Sequence, residues 1–193
     1  TKHSFGISYR SRTTLKFEGE TTSRPYVAGD QSASMKLPLP QTIIGGYSYR
    51  PTPQWNFEVN VDWTDWEVLN TPVLRQKTGN LAMPLNWKNT FGIESGVTRY
   101  FDNDWHVSGG YIFVENSVPQ KYFTPLVPDQ DLHVLSAGVG GTGGKQNRLS
   151  WDLTYQFTFG TGRDVSGSVY GPSVAGHYTF IAHAFSLSIG YRF

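Results

Sequence analysis

Every second residue of the segment FSLSIGYRF, 185–193, is bulky and apolar, and the residues between are small or polar. In an extended chain this puts Phe185, Leu187, Ile189, Tyr191 and Phe193 on one face, with Ser186, Ser188, Gly190 and Arg192 on the other. The same period of two recurs along the whole chain. It carries Trp151, Leu153, Tyr155, Phe157 and Phe159 in one segment and Trp55, Phe57, Val59, Val61 and Trp63 in another. Phe91, Ile93 and Val97 continue it, as do Trp105, Val107, Tyr111 and Phe113, with Ile112 out of phase. Shorter runs lie at Phe5–Ile7–Tyr9, Leu15–Phe17, Ile43–Gly45–Tyr47–Tyr49 and His133–Leu135–Val139. That makes about nine strands of roughly 8 to 13 residues with no helical period between them, so the chain is all β.

Composition narrows what such a sheet can do. The net charge is +1, too small to hold nucleic acid or a strongly charged partner. There is no Cys among the 193 residues, which removes disulfides and thiolate metal sites. Charged residues are only 16% and aromatics reach 15%. No apolar run approaches the roughly 20 residues of a membrane helix, and no signal peptide is expected ahead of Thr1. A transmembrane β-barrel passes both filters, because its polar inner face dilutes the average hydropathy.

The connections decide for the barrel. Short ones (11–13, 51–54, 102–104, 140–147) alternate with long ones (about 25–40, 69–86, 117–131, 163–176) rich in Pro, Gly, Ser and Asp. An up-and-down meander then has all its short turns at one rim and all its long loops at the other, as outer-membrane barrels do. Trp55, Trp105 and Trp151 fall near the short-turn rim, and Trp63, Trp66 and Trp87 near the long-loop rim. Eight residues separate Trp55 from Trp63, which is about 20 Å along the membrane normal for a tilted strand. That matches an apolar band between two aromatic girdles. The expectation is a multi-pass, antiparallel up-and-down barrel in the outer membrane of a Gram-negative bacterium, in contact with the lipid bilayer, as one domain over 1–193.

Two long stretches, LPLPQTIIGGYSYRPTPQWNFEVNVDWTDW (37–66) and the segment 86–140 with NWKNT and SVPQKYFTPLVPDQDLHVLS, go beyond architecture. With the opening GISYRS and the final GYRF they resemble the C-terminal portion of the FadL/TodX-type outer-membrane transporters of long-chain fatty acids and hydrocarbons. The resemblance implies a barrel of about fourteen strands, an N-terminal plug, and lateral exit of the ligand into the bilayer. It implies passive uptake of a hydrophobic small molecule such as a fatty acid, with no cofactor and no catalysis. The plug's Asn-Pro-Ala signature does not occur here. Nine strands cannot close a meander without a parallel seam, so earlier strands and the plug are expected outside this sequence. A reduced barrel that leaves 1–11 outside the wall is the other solution. A terminal aromatic row at Phe185, Leu187, Ile189, Tyr191 and Phe193 resembles the signal read by the outer-membrane assembly machinery. A small structural or adhesive barrel without transport is the alternative function.

Candidate site residues follow from the same pattern. Arg10, Lys16, Glu18, Arg50, Asn56, Glu58, Asn60, Asp62, Lys88, Glu94, His106, Asp152 and Arg192 fall on the polar, lumenal side, their mixed signs pointing to bracing ion pairs. In the long loops, Tyr26, Val27, Met35 and Leu37, then Leu81 and Met83, then Tyr122, Phe123 and Leu126 are apolar where solvated loops are polar. They either form a ligand groove or pack the loops together. Catalysis finds no support: His133 and His183 read as outward-facing, and none of the five His accompanies a serine elbow. GGTGGK lacks the first glycine of a phosphate loop, since Val139 stands there. Glu115, Asp129 and Asp131 match no calcium cage.

Overall fold

The computed structural model describes residues 2–23, 29–143 and 148–193. Its strands are β1 (His3–Arg10), β2 (Thr13–Ser23), β3 (Gly29–Leu39), β4 (Thr42–Thr52) and β5 (Trp55–Thr64). Then come β6 (Val73–Gln76), β7 (Gly79–Ala82), β8 (Thr90–Tyr100), β9 (Trp105–Val114) and β10 (Leu132–Gly143). The last are β11 (Leu149–Gly160), β12 (Arg163–Val165), β13 (Gly176–Tyr178) and β14 (Ile181–Tyr191). Eight of them form one antiparallel wall in the order β1-β4-β5-β8-β9-β10-β11-β14.

The register fixes the faces, because directly opposed residues share one. Phe5 faces Tyr47, which faces Val59, then Ser95, Tyr111 and Leu135; Leu135 faces Phe157, and Phe157 faces His183. Odd-numbered residues therefore share the apolar face across all eight strands, and even-numbered residues share the polar one. The apolar face is widely exposed, Phe185 at 76% and Ile7 at 83%, an area far beyond what a water-soluble surface tolerates. This is the lipid-facing side of an outer-membrane barrel wall. Trp105 and Trp151 meet edge-on on it at 5.1 Å, and Arg99 lies over both Trp55 and Phe101. Cationic and aromatic groups of this kind anchor the short-turn rim at the membrane interface.

Short connections join β4 to β5, β8 to β9 and β10 to β11, the last through residues outside the described ones. Asp104 takes the left-handed conformation (φ 62°) that closes the middle one. Four long excursions, 11–41, 65–89, 115–131 and 161–180, lie at the other rim.

The strand count corrects the expectation of about nine. β1 pairs directly with β4, His3 against Tyr49 and Arg10 against Thr42, so it starts at the short-turn rim and belongs to the wall. The segment with Leu15 and Phe17 is β2, which pairs with β3 in a separate four-stranded sheet, β2-β3-β6-β7. The residues 11–13 begin a long excursion and are not a turn back through the membrane. With eight wall strands, β1 and β14 run in opposite directions and the parallel seam disappears.

Candidate functional site

The four-stranded sheet at the long-loop rim is amphipathic. Alternation in TTLKFEGETTS sends Leu15 and Phe17 to one face, where they oppose Leu37 and Met35; Met35 in turn opposes Leu74, and Leu74 opposes Leu81. This apolar face borders a hollow of about 270 Å³ between Phe17, Ala33, Met35 and Leu74. Phe17 is 47% and Leu81 56% exposed. On the opposite face Lys16 stands directly across from Lys36, and Arg75 across from Ser34. There a cleft of about 390 Å³ runs between Lys16, Lys36, Arg75, Pro38, Val68 and Val73, a volume at the lower end of small-molecule sites.

Polar clamps hold this sheet together and fix it to the wall. Gln31 accepts from Thr78 N at 3.0 Å and Thr78 Oγ1 at 2.7 Å, and Gln76 donates to Thr21 at 2.7 Å. At its base the buried carboxylate of Asp65 accepts from Arg12 at 2.6 Å and from Gln41 at 3.0 Å. Trp66 packs edge-on against Trp87 at 5.2 Å, so these two pack within the loops while Trp63 stays on the outer face of β5.

The other long loops pack into a cap with a small core of its own. Val118, Phe123 and Val165 are its buried residues, with Trp87 and Tyr178 against them. Arg163 donates to the carbonyls of Asp129 at 2.8 Å and Val118 at 2.7 Å and lies 5.0 Å over the Phe123 ring. Burial lowers the pKa of this guanidinium, and the carboxylates of Asp129 and Asp131 oppose that shift. Ser168 Oγ donates to Phe123 O, and Tyr170 reaches Pro84 O, so three excursions are tied together. The carboxylates of the acidic trio each accept from backbone N–H groups, those of Asp129 and Asp131 within the loop and that of Glu115 on wall strand β8. Asp129 accepts from Ser117 N, Ser117 Oγ and Val118 N; Asp131 accepts from Asn116; Glu115 accepts from Phe91 N.

The apolar loop residues named from the sequence thus separate into two places. Met35, Leu37 and Leu81 share the apolar face of the loop sheet, joined by Leu15, Phe17 and Leu74. Met83 donates its backbone N–H to Pro72 O beside that sheet. Phe123 is fully buried in the cap, so it packs loops and lines no groove, whereas Leu126 three residues on is 90% exposed. Tyr122 is half-buried with Lys121 over its ring. Tyr26 and Val27 lie outside the described residues.

On the inner face, Arg10, Arg50, Asn56, Glu58, Asn60, Asp62, Glu94, His106 and Asp152 all have the polar parity of their strands. Lys16 and Glu18 do not belong there, since β2 is outside the wall. Lys88 and Arg192 flank wall strands without belonging to them. Among the described residues one ion pair crosses this face, His106 to Asp152 at 3.0 Å, and it occupies the space a side chain at Gly140 would need. The other contacts are weaker than salt bridges: Asn60 donates to Glu94, Ser48 to Asn56, and Arg50 lies over Tyr100. Ion-pair bracing is replaced by hydrogen bonds because cations and carboxylates rarely fall opposite each other in the observed register.

His133 and His183 lie on the lipid-facing side, as their parity requires. Each meets a tyrosine hydroxyl through Nδ1, Tyr111 at 2.6 Å and Tyr155 at 2.7 Å. His3 does the same with Tyr47 at 2.8 Å. The recurring pair lets a polar ring sit against hydrocarbon with one hydrogen bond made.

Comparison with known proteins agrees with this geometry. A family model described as outer membrane protein transport protein (OMPP1/FadL/TodX) matches residues 1–193. The long-chain fatty acid transport protein of Escherichia coli O6:H1 is 26% identical over 183 residues, which is 85% of this chain and 38% of that protein. The protein of the same description from Salmonella typhi is 26% identical over 151 residues, 69% of this chain and 34% of that one. A solved structure of a Pseudomonas aeruginosa FadL homologue superimposes with a TM-score of 0.84 at 18% identity, covering 98% of this chain and 49% of that one. The chain thus spans between a third and a half of the length of these relatives.

Proposed function

Because the chain belongs to the outer membrane protein transport family (OMPP1/FadL/TodX), we propose that it supplies wall and outer loops of a passive transporter for long-chain fatty acids or other hydrophobic molecules. The observation that carries this reading is the amphipathic loop sheet, whose exposed apolar face stands at the long-loop rim of a wall with a polar interior. A ligand leaving water for Leu15, Phe17, Met35, Leu37, Leu74 and Leu81 gains about 25 cal/mol for each Å² of apolar surface it buries. From there it passes into the barrel and is released laterally into the bilayer, downhill at each stage and without cofactor or catalysis. The exposed row Phe185, Leu187, Ile189 and Tyr191 on β14, continued by Phe193 just beyond it, gives the assembly machinery an apolar strand to engage.

The protruding Leu126 favours a second reading, an adhesive barrel that moves nothing. Uptake separates the two. Disrupting the gene in its own organism lowers accumulation of oleate from the medium, and the intact gene supplied in trans restores it. Unchanged accumulation would sink the transport reading.

A further inference from the structure

Arg99 is the one Asp, Glu, Lys or Arg at an odd-numbered position of the eight wall strands, and so the single formally charged side chain on their lipid-facing side. It stands at the short-turn rim, across from Trp55 on β5 and Val107 on β9. Its guanidinium carbon lies 5.2 Å from the centre of the Trp55 ring and 5.1 Å from that of Phe101. Stacking on rings engages the faces of a guanidinium and leaves its in-plane N–H donors for an acceptor. Among the described residues Arg99 makes no ion pair, whereas Arg12 is neutralised by Asp65. A cation at the edge of hydrocarbon is costly without a counter-charge. The short-turn rim of an outer-membrane barrel is the periplasmic one, and the anion at its head-group level is a lipid phosphate.

The surroundings fit the rest of such a lipid. Phe57 and Val97 oppose each other one row nearer the bilayer centre, and Phe57, Phe101 and Val107 are exposed. The same rim carries Lys2 and Arg50, joined through their backbones, and Arg148 and Arg192, joined likewise. Its side-chain carboxylates among the described residues are Asp102 and Asp104, while Asp152 further in is taken up by His106. The rim is therefore net cationic, which favours an anionic head group over a zwitterionic one. We propose that Arg99, flanked by Trp55 and Phe101, binds the phosphate of an anionic glycerophospholipid of the periplasmic leaflet, with phosphatidylglycerol as the simplest case. The phosphate oxygens accept from the guanidinium edge, and the acyl chains lie along Phe57, Val97 and Val107. No bond is made or broken, and the lipid remains exchangeable. The site faces the bilayer, so it stands whether or not the barrel transports anything.

The protein expressed from its full gene and purified in detergent is titrated with dioleoyl phosphatidylglycerol and, separately, with dioleoyl phosphatidylethanolamine, and bound lipid is counted by native mass spectrometry. Arg99→Gln should raise the Kd for phosphatidylglycerol about tenfold, the size of effect a lost charge-assisted contact carries. Arg148→Gln, which removes a cation from the same rim at even parity, should leave that Kd unchanged. Arg99→Lys keeps the charge without the planar fork and should weaken binding severalfold, so it carries the test if the glutamine variant does not assemble. An unchanged Kd in both Arg99 variants, or equal weakening by Arg99→Gln and Arg148→Gln, would overturn the site. Phosphatidylethanolamine bound as tightly as phosphatidylglycerol, with the same dependence on Arg99, would overturn the anionic assignment.

Discussion

Phe123 and Leu126 are three residues apart in one loop and sit at opposite extremes, the first 0% and the second 90% exposed. Both are large apolar residues in a Pro-rich segment, and sequence alone treats them alike. Phe123 packs in a cluster with Val165 and Tyr178 from one other excursion and Trp87 from another, so its burial is decided by residues about forty to fifty positions away. Phe123→Ala should destabilise the loop cap by about 3 kcal/mol through the cavity it leaves, and Leu126→Ala should change it by less than about 0.5 kcal/mol. Protease cutting within 115–131 on membrane-embedded protein checks both: fast cleavage for the first variant, unchanged cleavage for the second. Equal rates would show that the cap is not held by this ring.

At the level of strands, most of the wall was legible. Period-two alternation located all eight wall strands, and the alternation of short and long connections sorted the rims from β4 onward, whereas 11–13, read as a short turn, opens a long excursion at the opposite rim. The failure at Leu15 and Phe17 has a plain cause. A half-buried strand in a loop sheet and one in a membrane wall obey the same period, and the pairing partner of β2 is not written in its own residues. The Lys16–Lys36 opposition was hidden for the same reason, since it exists only once β2 and β3 are in register. Parity makes a sharp prediction on β11. Leu153 faces lipid near mid-strand and Thr154 faces inward. Leu153→Lys should therefore cost about 2–4 kcal/mol of stability in a bilayer, and Thr154→Lys much less. Denaturant titration in phospholipid vesicles distinguishes them, and a reversed order would invert the assignment of faces.

For the whole molecule, the wall is an open sheet whose outer edges belong to β1 and β14. Unpaired backbone groups are not tolerated in hydrocarbon, so in the membrane both edges must find strands to pair with. Amide hydrogen exchange reports this directly. In native outer membranes β1 and β14 should exchange as slowly as β9 and β10; in residues 1–193 isolated in detergent their edge amides should exchange fast. Slow exchange at both edges in the isolated chain would mean that β1 and β14 seal against each other. The direction of these two strands has a further meaning for how such walls arise. β1 enters and β14 leaves at the same rim, so the eight strands amount to four hairpins set side by side. A gene that gains or loses one hairpin leaves every other strand pointing the way it did, with its loops on the same side of the membrane. Ancestry by duplication of two-strand units, with each loop free to diverge afterwards, is the history this geometry permits most easily.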